Sequence, residues 1–315
     1  MMRYIKDIAA FVELRHLRYF TVVAEELHFS RAAQRLGIAQ PPLSQQIKSL
    51  EELIGHALFE RKPKVRLTPA GEALLEVSRR VFAQMEEGLS AARRIGRGEE
   101  GKLTVGFAAS LLTTTLPDVL RAYREQFPNV ELHLRELSTA AQAEALADGT
   151  IDVGFVREAV GGHADLSCEA VGQEEFVAVL PDKHPYTMHQ HLPLRTLKGE
   201  AFVHFPRTVA PSLYDQIMRM CRRAGFQPRV VQEAREWLTI VGLVEAGLGV
   251  SLVPASFRRL KWGNVQYKPL SPPRELTTIY TCWRPASTPP TATAFIEIAR
   301  QFALSQKIVT RKKSL

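Results

Sequence analysis

Four polar side chains on one predicted helix have the types and spacing needed to contact nucleic acid. Gln40, Ser44, Gln45 and Lys48 fall outside the apolar stripe of residues 40–54. Amide and hydroxyl groups hydrogen-bond to base edges, whereas an ammonium group pairs with backbone phosphates. This combination indicates a surface that contacts both the bases and the phosphates of a duplex.

A cluster of basic residues follows this helix. Arg61, Lys62, Lys64 and Arg66 alternate with apolar residues around Pro63, a pattern that predicts a short two-stranded hairpin. Such a wing directs its charges at flanking phosphates. The alternative is an ordinary helical hairpin whose basic face is simply solvated.

Three predicted helices must position these groups. Residues 14–27 have apolar positions at a 3.6-residue period, and the third helix carries a single apolar stripe. Between them, Ser30 is suited to N-cap a short helix that Gly37 ends. Pro41 and Pro42 stand at the start of the third helix, where a missing N–H does little harm. The turn around Gly37 makes the last two helices a helix-turn-helix.

The pattern changes twice further along the chain. Residues 70–97 form one long amphipathic helix, and so long an apolar stripe predicts pairing with a second helix. From Lys102 onward, predicted strands alternate with helices, which indicates an α/β domain with a largely parallel sheet. The predicted strands are KLTVGF, VELHLREL, IDVGFV, EEFVAVL, AFVHF, GVSLVP, VQYKPL and TIYTCW. The predicted helices are 113–127, 138–148, 212–224, 235–246 and 291–305.

Composition fits a globular protein. The 315 residues are 45% apolar and carry a formal net charge of +8. Residues 1–98 hold 16 Lys and Arg against 11 Asp and Glu, so a polyanionic partner is expected in this third of the chain. No apolar stretch is long enough to cross a membrane, and Lys6 and Asp7 interrupt any signal peptide. We therefore expect a cytoplasmic protein with no membrane partner.

The sequence shows little sign of a disulfide framework, a metal site or a catalytic site. The odd number of widely spaced cysteines predicts a reducing compartment, no disulfide framework and buried apolar packing for each of Cys168, Cys221 and Cys282. Three histidines share one loop, but no cysteine or carboxylate completes a metal site around His184, His189 and His191. No nucleophile–base pair is evident. We expect no metal, no cofactor and no enzyme activity.

Residues 14–71 resemble the N-terminal domain of LysR-type transcriptional regulators. The matching runs are LRHLRYF, AEELHFSRAAQRLGIAQPPLSQQIKSLEELIG, LFER and LTPAG. The resemblance continues in the expected order through GKLTVGF, FPNVELHLRE, IDVGF and GLVEAGLGVSLVPAS. It is closest to the branch that includes regulators of aromatic-compound catabolism and of the acetoin pathway.

The resemblance implies an α/β plus all-α fold. It comprises an N-terminal winged helix-turn-helix, a long linker helix and a two-lobed, periplasmic-binding-protein-like effector domain. The implied domains are residues 1–69, 70–98 and 99–305, with lobe I at 102–173 and 278–305, lobe II at 174–277 and a basic, frayed tail at 306–315. The implied partners are double-stranded promoter DNA, RNA polymerase and further copies of the chain, which form a dimer through residues 70–98 and a homotetramer.

The implied DNA contacts are Ser30, Arg31, Gln40, Pro41, Pro42, Ser44, Gln45, Lys48, Arg61, Lys62, Lys64 and Arg66. Three features depart from the family pattern. Gln45 stands where many members carry Arg, the wing looks one residue shorter than usual, and residues 1–12 precede the usual start.

Candidate effector-binding residues follow the predicted strands. Ser110 and Thr139 lie at predicted helix starts, where a hydroxyl either binds an anion or merely caps the helix. The resemblance favours binding, because these positions line the family's cleft between the lobes. Arg157 follows a strand, with a surface salt bridge as the alternative. Trp237 either walls the cleft or packs in the core.

The resemblance also implies a second-lobe loop that closes on the ligand. Its residues are Pro206, Arg207 and Thr208, and the planar guanidinium of Arg207 suits a carboxylate. The sequence therefore predicts a LysR-type DNA-binding regulator that responds to a small organic anion, either an aromatic compound or a dicarboxylate. The alternative is a small-molecule-binding protein or enzyme whose helical domain serves only for oligomerisation.

Overall fold

The computed structural model describes residues 12–159 and 165–312. The chain divides into two compact units, Met1–Arg93 and Arg94–Leu315, and the division falls inside one long helix. Of the predicted N-terminal extension, only Val12 lies within the described residues. No helix in the described part of the chain is long and apolar enough to cross a membrane.

Three helices and a two-stranded wing form the N-terminal unit. Their bounds are Leu14–Glu26 (α1), Phe29–Leu36 (α2), Gln40–Ile54 (α3), Phe59–Glu60 (β1) and Arg66–Leu67 (β2). The apolar stripes of the helices meet in one core, where Phe20, Leu43, Ile47 and Leu50 are completely buried. The two short strands pair antiparallel. The winged helix-turn-helix predicted from helical periodicity is confirmed.

Helix α2 starts two residues earlier than an N-cap at Ser30 would require. Its N-cap is His28, whose ring Nδ1 accepts a hydrogen bond from the Arg31 backbone N–H at 3.4 Å. Ser30 lies inside the first turn, and its hydroxyl donates to Gln40 Oε1 over 3.1 Å. The prediction of Ser30 as N-cap is therefore wrong. Gly37 ends the helix as predicted, with a φ of 71° that favours glycine.

Helix α4, Pro69–Gly96, is 28 residues long. Its first turn packs tightly, because a Cβ on Gly71 would lie 2.2 Å from the Leu58 carbonyl oxygen. Further along, large apolar side chains remain exposed in the single chain, namely Val77, Met85, Leu89 and Ile95. A helix with unburied apolar side chains on successive turns is typical of a pairing helix.

The C-terminal unit is built from nine strands and five helices among its described residues. The strands are Glu100–Phe107 (β3), Asn129–Glu136 (β4), Val153–Val156 (β5), Ser167–Pro181 (β6), Ala201–His204 (β7), Arg229–Glu233 (β8), Ser251–Pro254 (β9), Val265–Pro269 (β10) and Leu276–Trp283 (β11). The helices are Leu116–Gln126 (α5), Thr139–Ala147 (α6), Pro211–Arg223 (α7), Trp237–Glu245 (α8) and Pro290–Lys312 (α9). Helix α9 continues to Lys312, into the segment predicted as a frayed tail.

The main sheet is mixed and not largely parallel. Seven strands join it in the order β10-β6-β11-β5-β3-β4, with β9 also paired to β6, and β7 pairs with β8 separately. Strand β3 is parallel to β4 and β5, but β6 and β11 are antiparallel to all their partners. The prediction of a largely parallel sheet is therefore wrong. Alternation of strands and helices in the sequence does not reveal strands that run from one lobe to the other.

Two apolar cores define two lobes, as the resemblance implied. The first surrounds Leu103, Phe155 and Phe295, and the second surrounds Val179 and Val241. Strand β6 contributes to both cores, and β11 pairs with it along the same stretch. The chain therefore leaves lobe I along β6 and returns to it along β11.

Two expectations fail in this unit. Strand β8 was not predicted, because most of its side chains are exposed and no alternation marks it. Cys168 and Cys282 were expected to be separate buried residues, yet they lie opposite each other on β6 and β11 and form a disulfide. Cys221 is buried and unpaired, and burial raises the pKa of its thiol to about 12.

The histidine-rich loop forms no metal site among the described residues. His184 Nε2 lies 3.5 Å from Glu200 Oε2, while His189 and His191 are exposed. No group of three or more metal-binding side chains is found in the part of the chain that the structure describes.

His204 makes the stability of lobe II depend on pH. Its ring is buried at the end of β7 against Tyr214, and this burial lowers its pKa from 6.5 to about 4. Because the folded state disfavours the protonated ring, stability is lost as pH falls from 6.5 towards 4, by up to about 3 kcal/mol. Urea unfolding of His204→Gln across this range should show a shallower loss than the wild type. Replacement of the exposed His191 by Gln is the control and should leave the profile unchanged.

Candidate nucleic-acid interface and ligand cavity

Helix α3 presents its polar face to solvent. Its apolar stripe is buried in the core of the unit, which leaves Gln40, Gln45 and Lys48 exposed and Ser44 half-buried. The two prolines at its start, Pro41 and Pro42, are also exposed. Helix α3 is the second helix of the helix-turn-helix. An exposed polar face at its amino end is the geometry with which this motif enters the major groove.

A hydrogen bond between α2 and α3 orients one of these groups. The Ser30 hydroxyl donates to Gln40 Oε1 at 3.1 Å. One amide oxygen lone pair is thereby used, while both N–H donors of Gln40 stay available. Donors in this position suit acceptors on base edges, such as guanine O6 and N7.

Three of the predicted DNA contacts already have ionic partners. Arg31 lies 3.4 Å from Glu26 Oε2, and Lys48 lies 3.6 Å from Glu52. Arg61 binds Glu51 at 3.0 Å, and its guanidinium stands over the Phe29 ring at 5.4 Å. Because the same Glu51 carboxylate accepts the Leu58 and Phe59 N–H groups, Arg61 also helps to anchor the wing.

The tip of the wing carries basic side chains that have no acidic partner among the described residues. Lys62, Lys64 and Arg66 are exposed, and none of them forms an ion pair within the described residues. Three cations without a carboxylate partner make this hairpin the most positive part of the candidate surface. A strand of phosphates is the partner that such a row of charges fits.

In the C-terminal unit, a cavity of about 280 Å³ lies where several strands end. Its walls come from five chain segments that directly follow β3, β4, β5, β7 and β8. The lining residues are Ala108, Ala109, Ser110, Glu136, Leu137, Ser138, Thr139, Arg157, Val209, Ala210, Leu213, Arg235, Glu236 and Trp237. The carboxyl ends of parallel strands are the usual place for ligands in α/β folds.

Helix starts supply hydrogen-bond donors at this cavity. Helix α6 begins at Thr139, where Ser138 caps the backbone N–H of Ala141 at 3.3 Å. Helices α7 and α8 have Ala210 and Glu236 as N-caps, and neither end receives a side-chain cap. First-turn N–H groups without a cap carry partial positive charge and favour anions.

Arg157 is buried and neutralised by a carboxylate. It is 6% exposed, and its Nη1 donates to Glu174 Oε1 at 2.5 Å. Burial lowers the pKa of Arg157, an effect that the negative charge of Glu174 opposes. Glu174 also accepts the backbone N–H of Ser256 at 2.7 Å. The alternative of a surface salt bridge is wrong, because this ion pair lies inside the protein.

The same guanidinium fixes Ser110. Arg157 Nε donates to Ser110 Oγ at 2.9 Å, and Nη2 donates to the Ser110 carbonyl oxygen at 3.2 Å. Since Ser110 Oγ acts as an acceptor here, its own O–H remains available as a donor. Arg157 therefore positions a hydroxyl at the cavity wall.

The predicted second-lobe loop lies apart from the cavity lining. Pro206, Arg207 and Thr208 are not among the residues that line it, although Val209 is. Arg207 is exposed and binds Asp215 through two hydrogen bonds of 2.9 and 2.8 Å. The structure thus brings Ser110, Thr139 and Arg157 together and leaves the loop outside.

Several lining residues were not singled out from the sequence. Three charged residues of the lining were not predicted, namely Glu136, Arg235 and Glu236. Their local sequence pattern does not differ from that of charged residues on the protein surface. For Trp237, both of the predicted roles apply. Its ring lines the cavity and also meets the Phe205 ring at 5.0 Å.

A second, more apolar cavity of about 500 Å³ adjoins the first. The two share five lining residues, namely Ala109, Ser110, Glu136, Glu236 and Trp237. Much of the rest of its wall is apolar, with Leu112, Pro117, Leu238, Phe257 and Leu260. The combined space has one end rich in donors and one end that is hydrophobic.

A winged helix-turn-helix followed by a two-lobed α/β unit with a cavity defines a class, the ligand-responsive transcriptional regulators. Comparison with known proteins specifies it further. Residues 14–72 match the family described as "Bacterial regulatory helix-turn-helix protein, lysR family", and residues 96–303 match "LysR substrate binding domain". The chain belongs to the LysR family of transcriptional regulators, which are not enzymes, so the enzyme alternative is dropped.

Individual relatives support this assignment. The transcriptional regulator AlsR of Bacillus subtilis is 42% identical over 258 residues, which is 82% of this chain and 85% of the relative. CatR of Pseudomonas putida is 42% identical over 259 residues, which is 81% of this chain and 87% of the relative.

Solved structures agree in fold. CbnR superimposes with a TM-score of 0.78 at 30% identity, over 92% of this chain and 100% of CbnR. Full-length CbnR in complex with its target DNA gives a TM-score of 0.75 at 29% identity, over 93% and 100% of the two chains. The BenM effector-binding domain with its effector benzoate gives 0.60 at 30% identity, over 66% of this chain and 94% of that domain.

Loss of Glu174 should destabilise the C-terminal unit strongly. Glu174→Gln leaves the Arg157 charge buried without a counterion, which costs about 3–5 kcal/mol in the free energy of unfolding. Urea unfolding measures this change. Glu175→Gln is the matched control, because its pair with Arg274 is more exposed and should cost less than about 1 kcal/mol. Equal effects of the two variants would contradict the assigned role of Glu174.

Proposed function

We propose that promoter binding and activation by this LysR-type regulator respond to a small organic anion held in the cavity of its C-terminal unit. The observation that carries the proposal is the set of donors on the cavity wall. These are the hydroxyls of Ser110 and Thr139 and the uncapped first turns of α7 and α8. Hydroxyls and first-turn N–H groups bind a carboxylate without a buried free cation.

The rest of the cavity narrows the class of ligand. Glu136 and Glu236 line both compartments, and neither has an ionic partner among the described residues. Two carboxylates at this point repel a second negative charge on the ligand. The larger compartment is apolar and suits a ring or a hydrocarbon group. An aromatic monocarboxylate therefore fits better than a dicarboxylate, and benzoate as the effector of BenM supports this choice.

Ligand binding would act through the angle between the lobes. Ser110 and Thr139 belong to lobe I, whereas the first turns of α7 and α8 belong to lobe II. A carboxylate that bonds to both sides stabilises one arrangement of the two lobes over others. Strands β6 and β11 connect the lobes, so they are the elements that would bend.

On the DNA side, α3 would enter the major groove while the wing follows the backbone. The structure of CbnR with its target DNA supports this mode of binding for a related protein. The apolar side chains exposed on α4 support a dimer through residues 70–98. The homotetramer and the contact with RNA polymerase complete the proposal, as expected for activation from an upstream site.

Removal of the wing charges should weaken binding to the protein's own upstream DNA. In a variant with Lys62→Gln, Lys64→Gln and Arg66→Gln, each lost phosphate contact should lower the slope of log K against log salt by about 0.9. Fluorescence anisotropy over a salt series measures the slope. Lys198→Gln, on an exposed residue of the C-terminal unit, should leave it unchanged. Equal affinity of the wild type for upstream and random DNA would refute the DNA-binding role.

The cavity assignment can be tested with defined carboxylates. Thermal-shift screening of benzoate and other small aromatic and aliphatic carboxylates identifies a binding probe. Calorimetry with that probe should show at least about tenfold weaker binding for Ser110→Ala and Thr139→Val, since each removes a hydrogen bond to a charged group. Thr293→Val is the control, because this exposed residue of α9 lies outside both cavities.

Arg207→Ala decides whether the loop over residues 206–208 joins the site. If the loop closes on the ligand, loss of this guanidinium should weaken binding of the same probe by about tenfold or more. Unchanged affinity would exclude the loop from the site. Unchanged affinity of the Ser110 and Thr139 variants would reject this cavity as the effector site.

A further inference from the structure

We infer that Cys168 and Cys282 form a reversible redox pair, in which hydroperoxides make the disulfide and dithiols reduce it. The pair is built into the sheet, because the two residues face each other across β6 and β11 with their Cα atoms 4.1 Å apart. Side chains directly opposite on antiparallel strands lie on the same face of the sheet. The ladder of backbone hydrogen bonds therefore brings the sulfur atoms together without a loop movement.

Accessibility assigns different roles to the two thiols. Cys168, the second residue of β6, is half-buried, whereas Cys282 is completely buried between β5 and β6. Oxidants reach thiols that are in contact with solvent. Cys168 is therefore the thiol that reacts first, and Cys282 is the partner that resolves the product.

The chemistry balances with a hydroperoxide as the oxidant. The Cys168 thiol loses its proton, and the thiolate attacks one oxygen of hydrogen peroxide. The O–O bond breaks, a sulfenic acid forms, and the leaving hydroxide takes up a proton to become water. The Cys282 sulfur then attacks the sulfenic sulfur, the S–O bond breaks, and the disulfide and a second water form. A dithiol reductant reverses the bond by two thiol exchanges and supplies two electrons and two protons.

The bond closes a long loop around lobe II. The two cysteines are 114 residues apart in sequence, and the residues of the lobe II core all lie between them. A cross-link that closes so long a loop restricts the unfolded chain strongly and stabilises the folded state. The pair also shares an apolar cluster with Ala145 and Leu146 of α6, the helix that begins at Thr139. Oxidation therefore stabilises the folded C-terminal unit, in which the cross-link packs beside α6 of the cavity wall.

The remaining cysteine provides an internal control. Cys221 is completely buried in α7, and burial raises its pKa to about 12, so it holds its proton and stays unreactive. Its own apolar neighbours belong to the core of lobe II, whereas Cys282 belongs to a different cluster. The thiol of Cys221 should survive oxidation of the other two.

Thiol counting on the full-length protein tests the proposal. After reduction and removal of the reductant, the denatured chain should show three thiols, in line with its three cysteines. After mild hydrogen peroxide treatment of the folded protein it should show one, and dithiothreitol should restore three. Non-reducing peptide mapping by mass spectrometry should link the peptides that contain Cys168 and Cys282. The oxidised protein should also melt about 5–10 °C higher than the reduced protein.

Matched variants separate the pair from general oxidation. Cys221→Ser should still lose two thiols on oxidation and keep the difference in melting temperature, whereas Cys168→Ser and Cys282→Ser should lose that difference. Three thiols after peroxide treatment of the wild type, a cross-link that includes Cys221, or an oxidation that dithiothreitol does not reverse would each overturn the proposal. The thiol count on the wild type decides the matter even if a serine variant fails to fold.

Discussion

The ion pair between Arg157 and Glu174 is the interaction on which the C-terminal unit depends. A guanidinium that is 6% exposed requires a counterion, and Glu174 on β6 provides it at 2.5 Å. The same carboxylate accepts the Ser256 backbone N–H beyond β9, and Ser256 Oγ lies 2.8 Å from Thr113 Oγ1. Lobe I, strand β6 and lobe II are thus connected by one partly buried network of hydrogen bonds. A charge buried in this way stabilises the fold only while every partner is present.

This ion pair also bears on the proposed binding of an anion in the cavity. Because Glu174 neutralises Arg157, the guanidinium contributes the position of Ser110 and little free positive charge. Glu136 and Glu236 further offset Arg235 at the cavity wall. If the proposed function holds, the attraction for a carboxylate comes from hydroxyls and from the first turns of helices, whose dipoles are fixed by the fold. A site built in this way would select for geometry as well as charge, and it would need no unpaired buried cation to hold an anion.

Local sequence patterns predicted most of the helices and strands. They did not predict which residues pair with each other across the fold. Helical periodicity, prolines and glycines located the winged helix-turn-helix, and apolar runs located eight of the strands in the C-terminal unit. The antiparallel course of β6 and β11 did not follow, because strand order is set by packing between distant segments. For the same reason, neither the neutralisation of Arg157 by Glu174 nor the pairing of Cys168 with Cys282 was predicted. Spacing in sequence says nothing about register across a sheet.

The net charge of the N-terminal unit does not show which of its basic side chains are available to bind DNA. Arg31, Lys48 and Arg61 have acidic partners within the unit, which partly offset their charges. Among the cations predicted to contact DNA, Lys62, Lys64 and Arg66 have no such partner within the described residues. Fewer free cations mean fewer released counterions and weaker nonspecific binding to DNA. Under the proposed function, discrimination between DNA sequences would rest on the amide and hydroxyl groups of α3, which suit base edges that offer matching partners.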